Sequence, residues 1–495
     1  MILSSTIDHY VGISQGFHDA GLAVVNSDGS IAFAAHSERY SRKKNDAFLY
    51  PTMLDQLKIA APGRISIEYY ERQWLTNLRR ILHGQGLGNT VHMRYMLKQA
   101  MLPTKYRSWG HHLSHAAAAF QTSPFDSAAV VIVDAVGEFD TATIWRARYD
   151  DRGHARYEKL WSRRYPHSLG LFYTAMTARA GLRPMEDEYV LMGMSAYGRW
   201  PSDVKRSMRN DFFVNVDELL MRENVHAGVD DWNPKINPED IAAATQSITE
   251  DSLFSIHKMA RKLAKTDNVC YGGGVALNCK FNNLLGRIWR NAWICPNPGD
   301  CGSALGAAAL GYGKKLEWKD AFLGHNIPGD LDVNAVINAL ATNKIVGVAN
   351  GRAEWGPRSL GNRSLLADPR EPGIKDQVNE IKRRQKYRPF APAILSEHAE
   401  EWFRLGRFDY GYMQYAVQTR ASSLMRSACH VDGTARVQVV KPDGSNMRKI
   451  LEAWYARTGY PILINTSLNI RGQPIVNDRN DADLFQDTYG VKVIS

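Results

Sequence analysis

At 495 residues the chain outgrows a single hydrophobic core, and 44% hydrophobic with 23% charged residues, including 12 Trp and 22 Tyr, excludes a disordered or fibrous protein. Its 61 basic and 51 acidic side chains leave a formal charge of +10, which favours polyanionic partners such as nucleotides, pyrophosphate or nucleic acid, although a merely soluble basic surface reads the same way. The opening MILSSTIDHYVGIS lacks a basic stretch leading into an apolar one, and no segment has the apolar length of a membrane span, so a soluble, cytoplasmic protein without a membrane partner is expected.

Residues 9–36 read as two β-rich runs joined at an Asp28-Gly29 turn, the first interrupted by a polar loop that carries His18 and Asp19. Residues 69–109 interleave Arg and Lys with Tyr and Trp, a pattern that can follow a phosphate backbone and stack on bases. The plainer reading is a set of amphipathic helices packed on the first domain, with Leu75, Leu78, Ile81 and Leu82 at helical spacing.

HHLSHAAAAF at 111–120 predicts a helix in which His111 and His115, at i and i+4, share one face. Two imidazoles so placed can hold one metal, though paired histidines also occur on ordinary helix surfaces. A buried strand, AAVVIVDAVGE, follows, with Asp134 near its carboxyl end as a candidate third ligand. NVCYGGGVALN then reads as a strand, a glycine loop and a helix beginning near Val275, an arrangement that lets backbone N–H groups approach phosphate or ribose. Asp300 precedes a small-residue helix and is either a fourth ligand or a helix N-cap.

The five cysteines show no zinc-type pair spacing, so reduced core thiols are expected rather than a Cys-ligated metal. Residues 312–343 are polar and irregular in pattern, which places a boundary between a first domain, 1–325, and a β-rich second domain, 340–495, opening at KIVGVAN. No sequence repeat unites the two halves.

GISQGFHDAG, SERYSRKK, HHLSHA, LMGMSAYG, GGVALN and GDCGSALGAA in the first half, with GRAEWGPRSLGNRS, KYRPFAP, HVDGTARVQ and INTSLN in the second, form an ordered set of specific strings. On these the chain resembles, nearly end to end, the O-carbamoyltransferase family typified by the nodulation and cephamycin-pathway enzymes (NodU/CmcH). The resemblance implies an α/β fold: an actin-like (ASKHA) duplicated α/β domain followed by a YrdC-like α/β domain. It also implies that the second domain condenses carbamoyl phosphate with ATP to carbamoyl adenylate, releasing pyrophosphate. The first then passes the carbamoyl group to an acceptor hydroxyl.

By the same resemblance His111, His115, Asp134 and Asp300 ligate a metal, usually iron (Fe2+) or another divalent ion, with Mg2+ a candidate companion of ATP. His18, beside Asp19, is the candidate general base for the acceptor hydroxyl, or a group that positions it. Carbamoyl phosphate and ATP require cationic partners. Arg352, Lys382, Arg384, Arg388 and Arg436 are the candidates, with His430 in the same string as Arg436. Arg358 and Arg363 serve equally well as braces of glycine turns at Gly356 and Gly361. Asn465, Thr466 and Ser467 suit phosphate contact or a turn that bonds its own backbone. Gly273, Gly274 and Asn278 are expected to approach the nucleotide.

The chain departs from the family at Ala135, where glycine is common, at Val190 in place of a lysine, and at Gln385 in place of a glutamate. The last two remove charge from cleft walls and leave the acceptor open. The basic, aromatic segment favours a 5-hydroxymethylpyrimidine such as 5-hydroxymethylcytosine, in DNA or as a nucleotide, with a sugar or antibiotic hydroxyl as the alternative. A tRNA-directed or non-catalytic nucleotide-binding relative is a further alternative, against which all four ligand positions are intact. The oligomeric state is not legible.

Overall fold

The computed structural model describes residues 7–86, 93–199, 202–420, 425 and 427–495; part of the basic, aromatic stretch, 87–92, lies outside them. The architecture is mixed α/β, organised on three large sheets. In the first, β1 (His9–Ser14), β2 (Gly21–Asn26), β3 (Ile31–His36), β4 (Ile65–Tyr69) and β5 (Tyr106–Ser108) run in the order β3-β2-β1-β4-β5. The first three form an antiparallel meander, while β4 and β5 add in parallel to β1. Residues 9–25 are thus two strands, because the polar loop turns the chain back on itself.

In the second sheet, β6 (Ser127–Gly137), β7 (Asp140–Tyr149), β8 (Ala155–Arg164), β9 (Asn268–Gly272) and β10 (Asn291–Ile294) run in the order β10-β9-β6-β7-β8. Here too the first three are antiparallel and the last two add in parallel to the first. The same wiring therefore occurs twice, a repeat invisible in the sequence because strand pairing demands a burial pattern that many residues satisfy.

The helices His111–Gln121 and Ser303–Tyr312 lie between these two sheets, and their Ala and Gly content is what the close packing needs. A Cβ at Gly306 would fall 1.8 Å from the carbonyl oxygen of Ser114, and one at Gly12 would fall 1.8 Å from that of Ala304. After β9 the chain makes a 3₁₀ turn over Gly274–Leu277 and a short helix over Cys279–Asn282, rather than one helix from Val275.

The third sheet orders β11 (Ile345–Ala349), β12 (Arg363–Ala367), β13 (Ala391–Leu395), β14 (Gln438–Val440), β15 (Ile462–Ser467) and β16 (Val493–Ile494) as β14-β13-β15-β12-β11-β16. Val336 and Leu340 of the helix Val333–Asn343, with Ile450 and Leu451 of the helix Asn446–Thr458, pack on Val346, Leu366 and Leu463. The stretch 312–343 is consequently not irregular. It carries the strand Phe322–Ile327, paired with Gly351–Glu354, and the Val333–Asn343 helix capped by Asp332.

Residues 73–82 are helical, as their spacing predicts, but Trp74, Leu78, Ile81 and Leu82 are exposed and do not pack on the body. Arg79 instead lies buried over the Tyr165 ring, and Arg107 pairs with the buried Glu68. Two of the basic groups expected to meet phosphates are thereby engaged within the protein.

Candidate functional site

His111 and His115 stand one turn apart on the buried face of their helix, with their Nε2 atoms 3.1 Å from each other. Asp134 lies where β6 loses register with β7, and its Oδ2 is 3.2 Å from His111 Nε2 and 3.3 Å from His115 Nε2. Asp300 opens a 3₁₀ turn and places Oδ1 3.4 Å and 3.2 Å from the same two nitrogens. It makes no cap bond, and the following helix starts after Gly302, so the cap reading gives way to convergence on the histidines. One donor atom from each of the four buried residues lies within 4.8 Å of the others.

Two inward-facing imidazole nitrogens at 3.1 Å crowd each other when both are protonated, and the two carboxylates beside them repel. A divalent cation among these lone pairs satisfies all four at once, and a set of two nitrogens and two oxygens suits first-row divalent metals. The surroundings are shaped to the cluster. Gly274 N–H donates to Asp134 Oδ1 at 3.0 Å, and the Ser168 hydroxyl donates to the Ala135 carbonyl at 2.6 Å. A Cβ at Gly170 would fall 2.7 Å from Ala135 N.

Burial opposes charge on His111, but the Asp300 charge and the contacts with Asp134, Asp300 and Glu71 hold its pKa well above the ordinary value. His115 is raised in the same way by Asp134 and Asp300. Burial alone would raise both carboxyls, yet the histidines hold them below the carboxylate range.

His18 borders this cluster. Its Nδ1 lies 3.0 Å from Asp19 Oδ2, and its Nε2 lies 3.9 Å from Asp300 Oδ2. Burial works against its charge, but the Asp19 bond and the Asp300 charge outweigh it and push the pKa up to about 9. Left to the two carboxylates, His18 is an imidazolium at neutral pH.

In the second half Arg358, Lys382, Arg384, Arg388 and Arg436 gather within electrostatic reach of one another. Burial and Arg436 hold Arg358 down to about 9, while burial, Arg388 and Arg436 lower Arg384 well below its usual value. Among the described residues no carboxylate forms an ion pair with any of these four arginines. Arg384 is held by Asn379 Oδ1 and the Pro389 carbonyl and lies 4.0 Å over Phe390, and Arg388 lies 4.6 Å over Tyr189. Such an uncompensated gathering of like charges is one that an anion would offset.

Arg358 is the member that sequence reasoning could not separate from a turn brace. It lines a small recess with Ala276, Leu277, Pro296, Pro298, Met413 and Gln414, where the two halves meet. The bracing role falls to Arg363, whose guanidinium donates to the carbonyls of Asn350, Gly351, Asn362, Asn477 and His325.

The remaining candidates are more dispersed. Arg352 donates to the Ala32 and Leu323 carbonyls at 2.7 and 2.6 Å. Lys382 Nζ donates to Asn469 and also to Ser467, bracing the turn after β15. Asn465 donates to the Ser359 carbonyl and Gln438 Oε1, and Thr466 pairs with Leu365 across β12. Asn278 caps the short helix through Phe281 N–H, and Gly273, with φ of 85°, lets the chain pass Val133. His430 stands beside Asp432 and Tyr197. Glu71 and Gly137, which border the His/Asp cluster, had no distinguishing sequence signal.

Two family models match the chain, Carbamoyltransferase N-terminus over residues 65–309 and Carbamoyltransferase C-terminus over 337–494. An uncharacterized protein of Synechocystis is 31% identical, over 96% of this chain and 93% of that protein. Nodulation protein NolNO of Sinorhizobium fredii is 30% identical, over 97% of this chain and 78% of that protein. The 3'-hydroxymethylcephem-O-carbamoyltransferase of Amycolatopsis lactamdurans is also 30% identical, over 96% and 95%.

Proposed function

The chain belongs to the carbamoyltransferase family, and from that premise we propose that it is an ATP-dependent O-carbamoyltransferase using carbamoyl phosphate through carbamoyl adenylate. The observation that carries this reading is the pairing of a buried four-ligand His/Asp cluster beside His18 with a separate cationic cluster in the second half. The repeated sheets support an actin-like domain over 1–325, and the third sheet is read as a YrdC-like domain over 340–495.

In the second half Arg358, Arg384, Arg388 and Arg436 bind and orient the phosphates of carbamoyl phosphate and ATP. Water takes the phosphoryl group of carbamoyl phosphate, releasing inorganic phosphate and leaving carbamate. A carbamate oxygen then bonds to the α-phosphorus of ATP, the α–β bridging P–O bond breaks, and pyrophosphate leaves. In the first half the acceptor oxygen forms a bond to the carbamoyl carbon, the bond from that carbon to the adenylate oxygen breaks, and AMP leaves. A divalent cation, read as iron and held by His111, His115, Asp134 and Asp300, would polarise the carbonyl as a Lewis acid and offset the two carboxylates. His18, aligned by Asp19, holds the acceptor hydroxyl and takes its proton once the field of Asp300 is offset.

The acceptor is read as a hydroxymethyl group on a heterocycle, with a 5-hydroxymethylpyrimidine in DNA or as a nucleotide as first candidate and a sugar or antibiotic hydroxyl as the alternative. The net charge of +10 supports the first, and a relative whose printed substrate is a hydroxymethylcephem supports the group itself. Engagement of Arg79 and Arg107 within the protein weighs against long tracking of a phosphate backbone.

Mass spectrometry of the protein with carbamoyl phosphate, ATP and Fe2+ tests this against hydroxymethylcytosine-containing DNA, the nucleotide and a panel of sugars and antibiotics. One added carbamoyl group on any acceptor supports the reaction, and its identity selects the acceptor. Absence of both carbamoylated product and pyrophosphate release overturns the reading.

A further inference from the structure

The geometry points to Glu71 as the residue that orients His111 for metal binding, a positioning role that rests on reading the His/Asp cluster as a cation site. His111 turns Nε2 into the cluster, which leaves Nδ1 on the far edge of the ring, buried and without a hydrogen-bond partner among the described residues. Leaving a buried polar group without a partner is costly, so this nitrogen requires an explanation. Glu71 Oε2 faces it at 3.6 Å, an ion-pair separation slightly longer than a hydrogen bond.

The carboxylate is placed there by its neighbours. Glu71 lies two residues beyond β4, and the Thr76 hydroxyl, in the first turn of the next helix, donates to the same Oε2 at 3.2 Å. The backbone on either side is pinned, since Ser114 Oγ donates to the Tyr70 carbonyl at 2.8 Å and Arg72 N–H donates to Glu138 Oε1 at 2.8 Å. No lysine or arginine pairs with Glu71 among the described residues, so His111 is its ionic partner.

The ring itself has little freedom. The Tyr70 ring lies 5.1 Å from it, and a Cβ at Gly137 would fall 2.1 Å from its Cδ2. A closure of roughly half an ångström turns the contact into an N–H···O bond. An imidazole that ligates through one nitrogen carries its proton on the other, and a carboxylate accepting that proton fixes the tautomer and strengthens the donor nitrogen. Glu71 thereby keeps the lone pair of His111 on Nε2, directed at Asp134, His115 and Asp300.

The test is Co2+ binding to the full chain and its Glu71→Ala, Glu71→Gln and Thr76→Val variants, by titration against a chelator and by visible absorption. Glu71→Ala is expected to weaken Co2+ binding by about 10- to 100-fold and to shift the spectrum. Glu71→Gln should lose less, because its amide oxygen still accepts from Nδ1–H, and Thr76→Val should lose least. Melting in chelator reports folding separately, and should Glu71→Ala not fold, the other two variants carry the test. Wild-type affinity and spectrum in every folded Glu71 variant overturn the inference alone. A wild-type protein that binds neither Co2+ nor Fe2+ overturns it together with the cation reading.

Discussion

Two imidazoles and two carboxylates meet in the first half with charges of both signs, whereas four guanidiniums and a lysine gather in the second with no carboxylate paired to any of the arginines among the described residues. The pKa values record the contrast. In the first cluster the histidines and the carboxylates favour one another's charged forms despite burial, and this outweighs the repulsion between like groups. In the second, burial and like charge together disfavour it, as Arg358 and Lys382 show. A cluster of mixed sign can assemble by itself and be exact in geometry. One of a single sign is held by the fold, through carbonyls and aromatic faces, and is stabilised when an anion arrives.

If the clusters serve separate half-reactions, breaking one should spare the other. Asp300→Asn keeps the shape and removes a ligand charge, so carbamoyl transfer to the acceptor should fall by at least about 100-fold. Pyrophosphate release from ATP and carbamoyl phosphate should remain. Equal loss of both signals would show that the clusters act as one.

The next largest effect is expected at Arg358→Met. Loss of one charge-assisted contact to phosphate, on the order of 1.5–3 kcal/mol, should lower pyrophosphate release by about 10- to 100-fold with Co2+ affinity unchanged. Thermal stability without ligand should hold or rise, because a like charge leaves a partly buried cluster. A simultaneous loss of activity and stability would make Arg358 a brace after all. Arg352→Met gives the opposite signature: the carbonyls of Ala32 and Leu323 lose their donor, at a cost of about 1–3 kcal/mol in urea unfolding, with activity per folded molecule preserved.

These pairs mark how far the sequence could be read. The helix bearing His111 and His115 was legible because i and i+4 define a face locally, and Asp134 because an apolar strand leads to it. Asp300 was ambiguous, since a turn before a helix looks the same whether its aspartate caps the helix or leaves for a site 185 residues away in the chain. Arg358 and Arg363 sit in one short string, and only tertiary placement aims one at the recess and buries the other among carbonyls. The helix Gln73–Leu82 was legible as an element, but its amphipathic stripe could not say that Arg79 would face inward and Leu82 outward.

The smallest effect is expected where opposite charges meet at the surface, which calibrates the buried clusters. Glu397 is held at about 2 by its bond to Arg448, although burial opposes this slightly and its side chain is 48% exposed. A depressed carboxyl contributes stability that is fully present above its unfolded value of 4.5 and is lost as pH falls towards about 2. Solvent screening at this exposure limits the contribution to under about 1 kcal/mol. Glu397→Gln should therefore lower stability slightly at about pH 7 in urea unfolding, and the difference from wild type should shrink towards about pH 3. A difference that stays constant across that range would assign the pair's effect to packing of the Arg448 stem, and the mixed-sign cluster would then lose its surface counterpart.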